Sequence, residues 1–151
     1  MDDVQGEYDV VLIDTPPSKG WLTRSALRAA TDVIIPSLME DKAIKGVYGT
    51  IQLWMNENQN RSADNKLELI GILANMVDKR TSLHKGYYES LKLNESFSQY
   101  MIPHQLCKRV AFCEIDSDDA APKSIFKFPK ADKARIEALD ACKYISERVF
   151  A

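Results

Sequence analysis

The sequence predicts an α/β protein with a mostly parallel sheet flanked by helices, and three observations predict it. Two short apolar runs, Val10-Val11-Leu12-Ile13 and Val33-Ile34-Ile35, each lead into proline, as strands buried on both faces do. Between and beyond them, apolar residues recur in steps of three and four, the period of a helix. Strand and helix patterns alternate along the chain, the order that gives parallel pairing. With 151 residues and 45% hydrophobic content the chain suffices for one core, and residues 1–151 read as a single domain.

The elements follow in order. Tyr8 to Thr15 reads as the first strand, because Pro16 and Pro17 cannot extend a ladder. Asp14 then stands at the carboxyl end of a central strand, where open α/β sheets place ligands. Ser18 to Thr31 reads as a helix with Leu22, Ala26 and Ala30 inward, and Val33 to Pro36 as the second strand. Asp41 is the expected N-cap of a helix whose stripe is Ile44, Val47, Tyr48, Ile51, Trp54 and Met55; such a stripe is core packing. A polar loop is expected over 56–65, and a third strand within Leu67 to Val77. Ser82 caps a helix through Leu83, Tyr87 and Leu91, and Phe97 to Ile102 forms a fourth strand closed by Pro103. Residues 105–129 have no regular pattern. The last helix, Ala131 to Phe150, turns Ile136, Leu139, Cys142, Ile145 and Val149 inward.

Composition excludes several classes of function. A formal charge of −2 argues against nucleic-acid binding over the whole surface and leaves room for a local patch. Cys107, Cys113 and Cys142 lack metal-type spacing and only two histidines exist, so zinc is not expected and a reduced interior is. No apolar run approaches the roughly 18 residues that span a bilayer. With no leader pattern before the first strand, the expected location is the cytoplasm.

The run Asp14-Thr15-Pro16-Pro17-Ser18, followed by Trp21-Leu22-Thr23, Ala29-Ala30-Thr31-Asp32 and Val33-Ile34-Ile35-Pro36, resembles the ParA/Soj branch of the deviant-Walker P-loop ATPases. The resemblance continues through Gly71 to Thr81 and Ile102-Pro103-His104. It implies that the chain corresponds to the C-terminal two-thirds of such an ATPase, beginning at the Walker B strand. The family's phosphate loop has no counterpart, since no G-x-x-x-x-G-K-[ST] occurs. The fold implied is P-loop NTPase-like, without the phosphate-loop strand. The complete family member binds Mg-ATP, dimerises, binds DNA non-specifically, and meets a ParB-like partner during plasmid or chromosome partitioning. A chain lacking the loop is expected to be inactive alone, or to act as a non-catalytic module that pairs with a full-length ParA-type chain. The location is then cytoplasmic, or nucleoid-associated where DNA binding is retained. A membrane role like that of MinD is not expected, because the final helix has few cations and apolar anchors.

The resemblance also distributes roles. Asp14 is the catalytic and magnesium-holding carboxylate, through a water; the plainer alternative is a turn-capping aspartate. Thr15 and Ser18 could hold a water there or merely cap the turn. Asn75, Asp78 and Arg80 after the third strand, with Pro103 and Gln105, line the adenine, where a side-chain amide can read a base edge. His104 and Gln105 depart from the family's I-P-R-N at that place. Finally, Lys123, Lys127, Lys130, Lys133 and Arg135, against Asp132 alone, form either a DNA-binding patch or a solvated face.

Overall fold

The computed structural model describes residues 6–16, 18–117 and 124–151. Its elements are α1 (Trp21–Ala29), β1 (Asp32–Leu38), α2 (Asp41–Gln59), β2 (Glu68–Val77), α3 (Ser82–Leu93), β3 (Met101–Cys107), α4 (Val110–Ile115) and α5 (Lys133–Val149), with single 3-10 turns between some of them. The strands make one parallel sheet in the order β1-β2-β3. Ile72 stands opposite Met101, Ala74 opposite Gln105 and Val77 opposite Cys107, with a register shift between successive pairs. This is the α/β class expected from the sequence, consistent with a P-loop NTPase-like fold.

One expected strand does not form. Residues 10–16 carry no ladder, Tyr8 makes a single bridge, and Val10, Val11, Leu12 and Ile13 are all exposed, Leu12 to 90%. A strand apolar on both faces is held only between two neighbours. Among the described residues the sheet is β1, β2 and β3, which leaves this segment none.

The residues divide into two compact units: one holds those up to Val33 together with Tyr48–Leu69, the other Ile34–Val47 and Ile70–Ala151. In the first, Leu27, Leu53 and Leu67 form a buried cluster, with Ala30, Val33 and Trp54 against it. The inward face of α1 is Thr23 and Leu27, while Leu22, expected inside, is exposed. Thr23 Oγ1 donates to Ser18 O at 2.6 Å, which turns that face inward. The carbonyl end of α1 is closed by Arg61, which donates to Leu27 O, Arg28 O and Ala30 O at 2.6, 2.9 and 2.9 Å. α2 runs to Gln59, past the loop expected from Asn56. Asn58 gives it a reason: its side chain accepts from Leu67 N at 2.8 Å and donates to Leu67 O at 2.9 Å. Of the expected α2 stripe, Val47 and Ile51 are buried but Tyr48 and Met55 are exposed. Leu53 and Glu57 are buried instead, with Glu57 paired to Arg28 at 3.3 Å.

In the second unit, α5 lies along β3. Leu73, Ile102 and Ala141 are buried together with Leu106, Tyr144 and Ile145 against them, and Ile125, Ala134 and Ala138 make a second cluster. Here the sequence expectation held only in part, at Ile145. The buried stripe of α5 is Ala134, Ala138 and Ala141, whereas Ile136, Leu139 and Cys142 face outward. Small side chains let a helix backbone approach a strand closely, and hydrophobicity alone selects the larger ones.

β3 also corrects the expectation. Phe97 is a buried plug ahead of the strand, in a turn where Ser98 N and Tyr100 N donate to Asn94 O and Phe97 O at 2.8 and 2.9 Å. The strand then runs through Pro103 to Cys107. Proline is tolerated because β3 is an edge strand, where a missing N–H costs no ladder bond. Thr81, rather than Ser82, caps α3, its hydroxyl accepting from His84 N at 3.4 Å. Asp41 opens α2 and holds Lys45 at 2.6 Å. Phe126 lies in a 3-10 turn, Ile125–Lys127, and Phe128 follows it.

Candidate functional site

The site builds from the carboxyl end of β2 and the strand beside it. The pairing of Ala74 with Gln105 lays Asn75 and Gln105 on adjacent strands, both half-buried. Pro103 and Gln105 alternate with His104, which makes an edge-to-face contact with Tyr144 of α5 at 5.7 Å. The histidine that departs from the family's arginine is therefore a packing residue. At the strand end the chain turns through Met76, whose φ of +50° is left-handed and disfavoured for a side chain of that kind. Asn75 Oδ1 accepts from Met76 N at 2.9 Å and steadies that turn.

Asp78 and Arg80 form a fork. Arg80 Nε donates to Asp78 Oδ1 at 2.9 Å and its terminal nitrogen to Oδ2 at 2.7 Å, while Arg80 N adds a third bond at 3.0 Å. The Arg80 guanidinium first, and its backbone N–H second, hold the Asp78 carboxyl well below the usual carboxylate range. Asp78 N donates to His84 Nδ1 at 3.1 Å, which ties the turn to α3. Sequence reading missed both Met76 and His84, since a backbone angle and a contact six residues on leave no periodic signal.

Beside this end lies a second polar group. Arg109 Nε donates to Glu137 Oε2 at 2.9 Å and its terminal nitrogen to Oε1 at 2.5 Å, while Cys107 N donates to Glu137 Oε2 at 3.0 Å. Burial pushes the Glu137 carboxyl up, but Arg109 and the Cys107 N–H and thiol outweigh it and hold the pKa down. The Cys107 thiol is pushed up, by burial first and by Glu137 second. With partners 28 and 30 residues apart, this group too was illegible in the sequence.

The other expected residues are placed as follows. Asp14 is exposed on the unpaired segment of the first unit. Magnesium in nucleotide sites is held by one or two carboxylates together with phosphates and waters. Among the described residues no group of three or more His, Cys, Asp or Glu can hold a metal ion. One exposed carboxylate does not complete a magnesium site. Lys127, Lys130 and Lys133 are exposed, and Lys123 lies outside the described residues. Arg135 is half-buried and donates to Phe128 O at 2.6 Å, so it is a structural strut before it is a surface cation. No helix of the described residues is long and apolar enough to cross a membrane.

The fold is that of an α/β protein with a parallel sheet flanked by helices, consistent with a P-loop NTPase-like one. Residues 1–69 match an AAA domain family model. The chain is 42% identical over 76 residues to the chromosome-partitioning ATPase Soj of Thermus thermophilus, a match covering 50% of this chain and 30% of that protein. It is 34% identical over 92 residues to the sporulation initiation inhibitor protein Soj of Bacillus subtilis, covering 61% and 36%. With the chromosome partitioning protein ParA of Myxococcus xanthus it shares 37% over 86 residues, covering 57% and 30%. The chain thus spans about a third of the length of these relatives. Together the matches support a ParA/Soj-type family.

Proposed function

We propose that this chain is part of a ParA-like partition ATPase and supplies the base-binding side of its nucleotide site. The observation that carries the reading is the pairing of Ala74 with Gln105. It sets the β3 segment that carries Pro103 and Gln105 beside the carboxyl end of β2, which carries Asn75 and leads into Asp78, and such strand ends are where parallel sheets take ligands. Asn75, Asp78, Arg80, Pro103 and Gln105 meet the adenine, and Asp14 is the magnesium carboxylate of the completed site. The phosphates of Mg-ATP are held by a loop outside this sequence, so the chain alone hydrolyses ATP negligibly. Lys127, Lys130 and Lys133, with Lys123, contact DNA without regard to sequence. A ParA-type chain, as homodimer or heteromer, and a ParB-like protein are the partners, in the cytoplasm or on the nucleoid. The test is turnover by the pure chain: none is expected, and ATP hydrolysis abolished by Asp14→Ala would overturn the inactivity.

A second reading is favoured by one observation, the exposure of Val10, Val11, Leu12 and Ile13 in an unpaired segment. An exposed apolar strand is a template for pairing with another chain. In this reading the protein is a non-catalytic module that binds a full-length ParA-type chain through that segment. Co-expression with such a chain and gel filtration test it. A heteromer lost in Val11→Lys supports the module, and the absence of any heteromer removes it.

A further inference from the structure

The end of β2 is bulged and strained. Between the Ala74–Gln105 and Val77–Cys107 pairs, Asn75 and Met76 stand against Leu106 alone, and Met76 takes the left-handed φ. Past the bulge, Asp78 is the joint on which the turn hangs. Its carboxylate is forked by Arg80, and its C=O accepts from Thr81 N and Thr81 Oγ1 at 3.2 and 3.0 Å. Its N–H donates to Nδ1 of the half-buried His84 at 3.1 Å. Thr81 also caps α3 by accepting from His84 N, so turn, cap and ring close on one another. Of these bonds, the one to the ring depends on a group whose charge changes near neutral pH. An imidazole nitrogen accepts a hydrogen bond only while it carries no proton, so this bond requires a neutral ring with its proton on Nε2.

Protonation puts an N–H on Nδ1, sets it against the Asp78 N–H, and leaves that donor without its acceptor. The charged ring is drawn instead to the Asp78 carboxylate, whose ionised form it favours. There it competes with Arg80, which already occupies both oxygens. The neighbouring titratable groups are Lys79 and Arg80 on the turn, Lys85, Tyr87 and Tyr88 on α3, and Tyr100 in the 3-10 turn packed against α3. None of these six is a carboxylate that would hold the charged ring where it now lies.

We propose that His84 is a positioning residue for the turn after β2 and makes ligand binding at that turn proton-sensitive. The neutral ring holds Asp78 and its fork in place, and the protonated ring releases them. The inference rests on the reading of Asn75 to Arg80 as the base side of a nucleotide site, and adds a regulator, the proton, together with the residue that reads it. His84 acts through Asp78 and not on the nucleotide itself. Binding is then strongest above the range in which imidazoles take up a proton, about pH 5 to 8, and weakens as pH falls through it.

The test is amide-resolved NMR of the purified chain between about pH 8 and about pH 5.5, with and without Mg-ATP. In the parent chain the Asp78 amide should move with the same midpoint as the His84 ring protons. Affinity for Mg-ATP should fall about threefold to tenfold across the range, the effect of about one hydrogen bond. His84→Asn keeps a side-chain acceptor that does not titrate. It should bind as the parent does at the upper pH and lose the His84-dependent part of the fall, and its comparison with the parent cancels the protonation of ATP itself. His84→Leu, which keeps bulk and removes the acceptor, should bind at the parent's low-pH level throughout. An Asp78 amide that does not follow the ring, or a parent and His84→Asn whose affinities fall alike, would overturn the role of His84 and leave the base-binding reading standing. An Asp78 amide that follows the ring in a chain that takes up no Mg-ATP at about pH 8 overturns the base-binding reading, and the regulation of binding with it.

Discussion

Glu137 shows how a residue with no sequence signature can carry the end of the sheet. It takes both the Arg109 fork and the Cys107 N–H while mostly screened from water, so removing either charge leaves the other unpaired. Arg109→Ala should destabilise the chain by about 2 kcal/mol, read by urea denaturation at neutral pH. The pH dependence has a definite sign. The folded pKa of Glu137 lies below its unfolded value of about 4.3, so the pair's contribution is fully present above that value and is lost as pH falls below it. The stability gap between the wild type and Glu137→Gln should therefore shrink between pH 5 and pH 3; a gap that widens would contradict the assignment. The legible residues were those on strand ends. Asn75, Asp78 and Gln105 were singled out by the family resemblance of the segments that carry them, whereas the bond of Arg135 to Phe128 O has no mark in the sequence.

Among the elements, two strands were readable and the helix faces only in part: Val47, Ile51 and Leu91 are buried as expected, whereas Leu22, Leu83, Ile136 and Leu139 are exposed. Apolar runs located β1 and β2, but in α5 Ile136 and Leu139 are exposed while Ala134, Ala138 and Ala141 are buried. This predicts an asymmetry. Ala138→Leu should cost about 1–3 kcal/mol through overpacking, while Ile136→Ser should change stability by less than about 0.5 kcal/mol. Thermal melts of the two variants decide it, and the reverse order would restore the face first expected. Gly71 makes the same point within β2. Its φ is +153°, and a Cβ would meet Tyr100 O and Ile102 Cγ1, each at 2.7 Å. Gly71→Ala should therefore destabilise by about 2 kcal/mol or more, well beyond the usual gain of alanine over glycine. The sequence contains that glycine, but only the approach of β3 explains it.

For the whole molecule, the missing strand is the informative failure. The run from Val10 to Ile13 has the composition of an interior strand and, among the described residues, none of an interior strand's partners. Local sequence sets a segment's preference, and pairing needs neighbours that local sequence does not contain. Leu12→Lys should leave the melting temperature of the chain unchanged and reduce its self-association, as read by light scattering. In the proposed function, the β2 and β3 ends form the base side of a nucleotide site. Amide-resolved NMR during titration with Mg-ATP tests it most directly. Shifts are expected to cluster at Asn75 to Arg80 and at His104 to Cys107, and to be lost in Asn75→Ala. Shifts confined to other surfaces, or none at millimolar nucleotide, would contradict it.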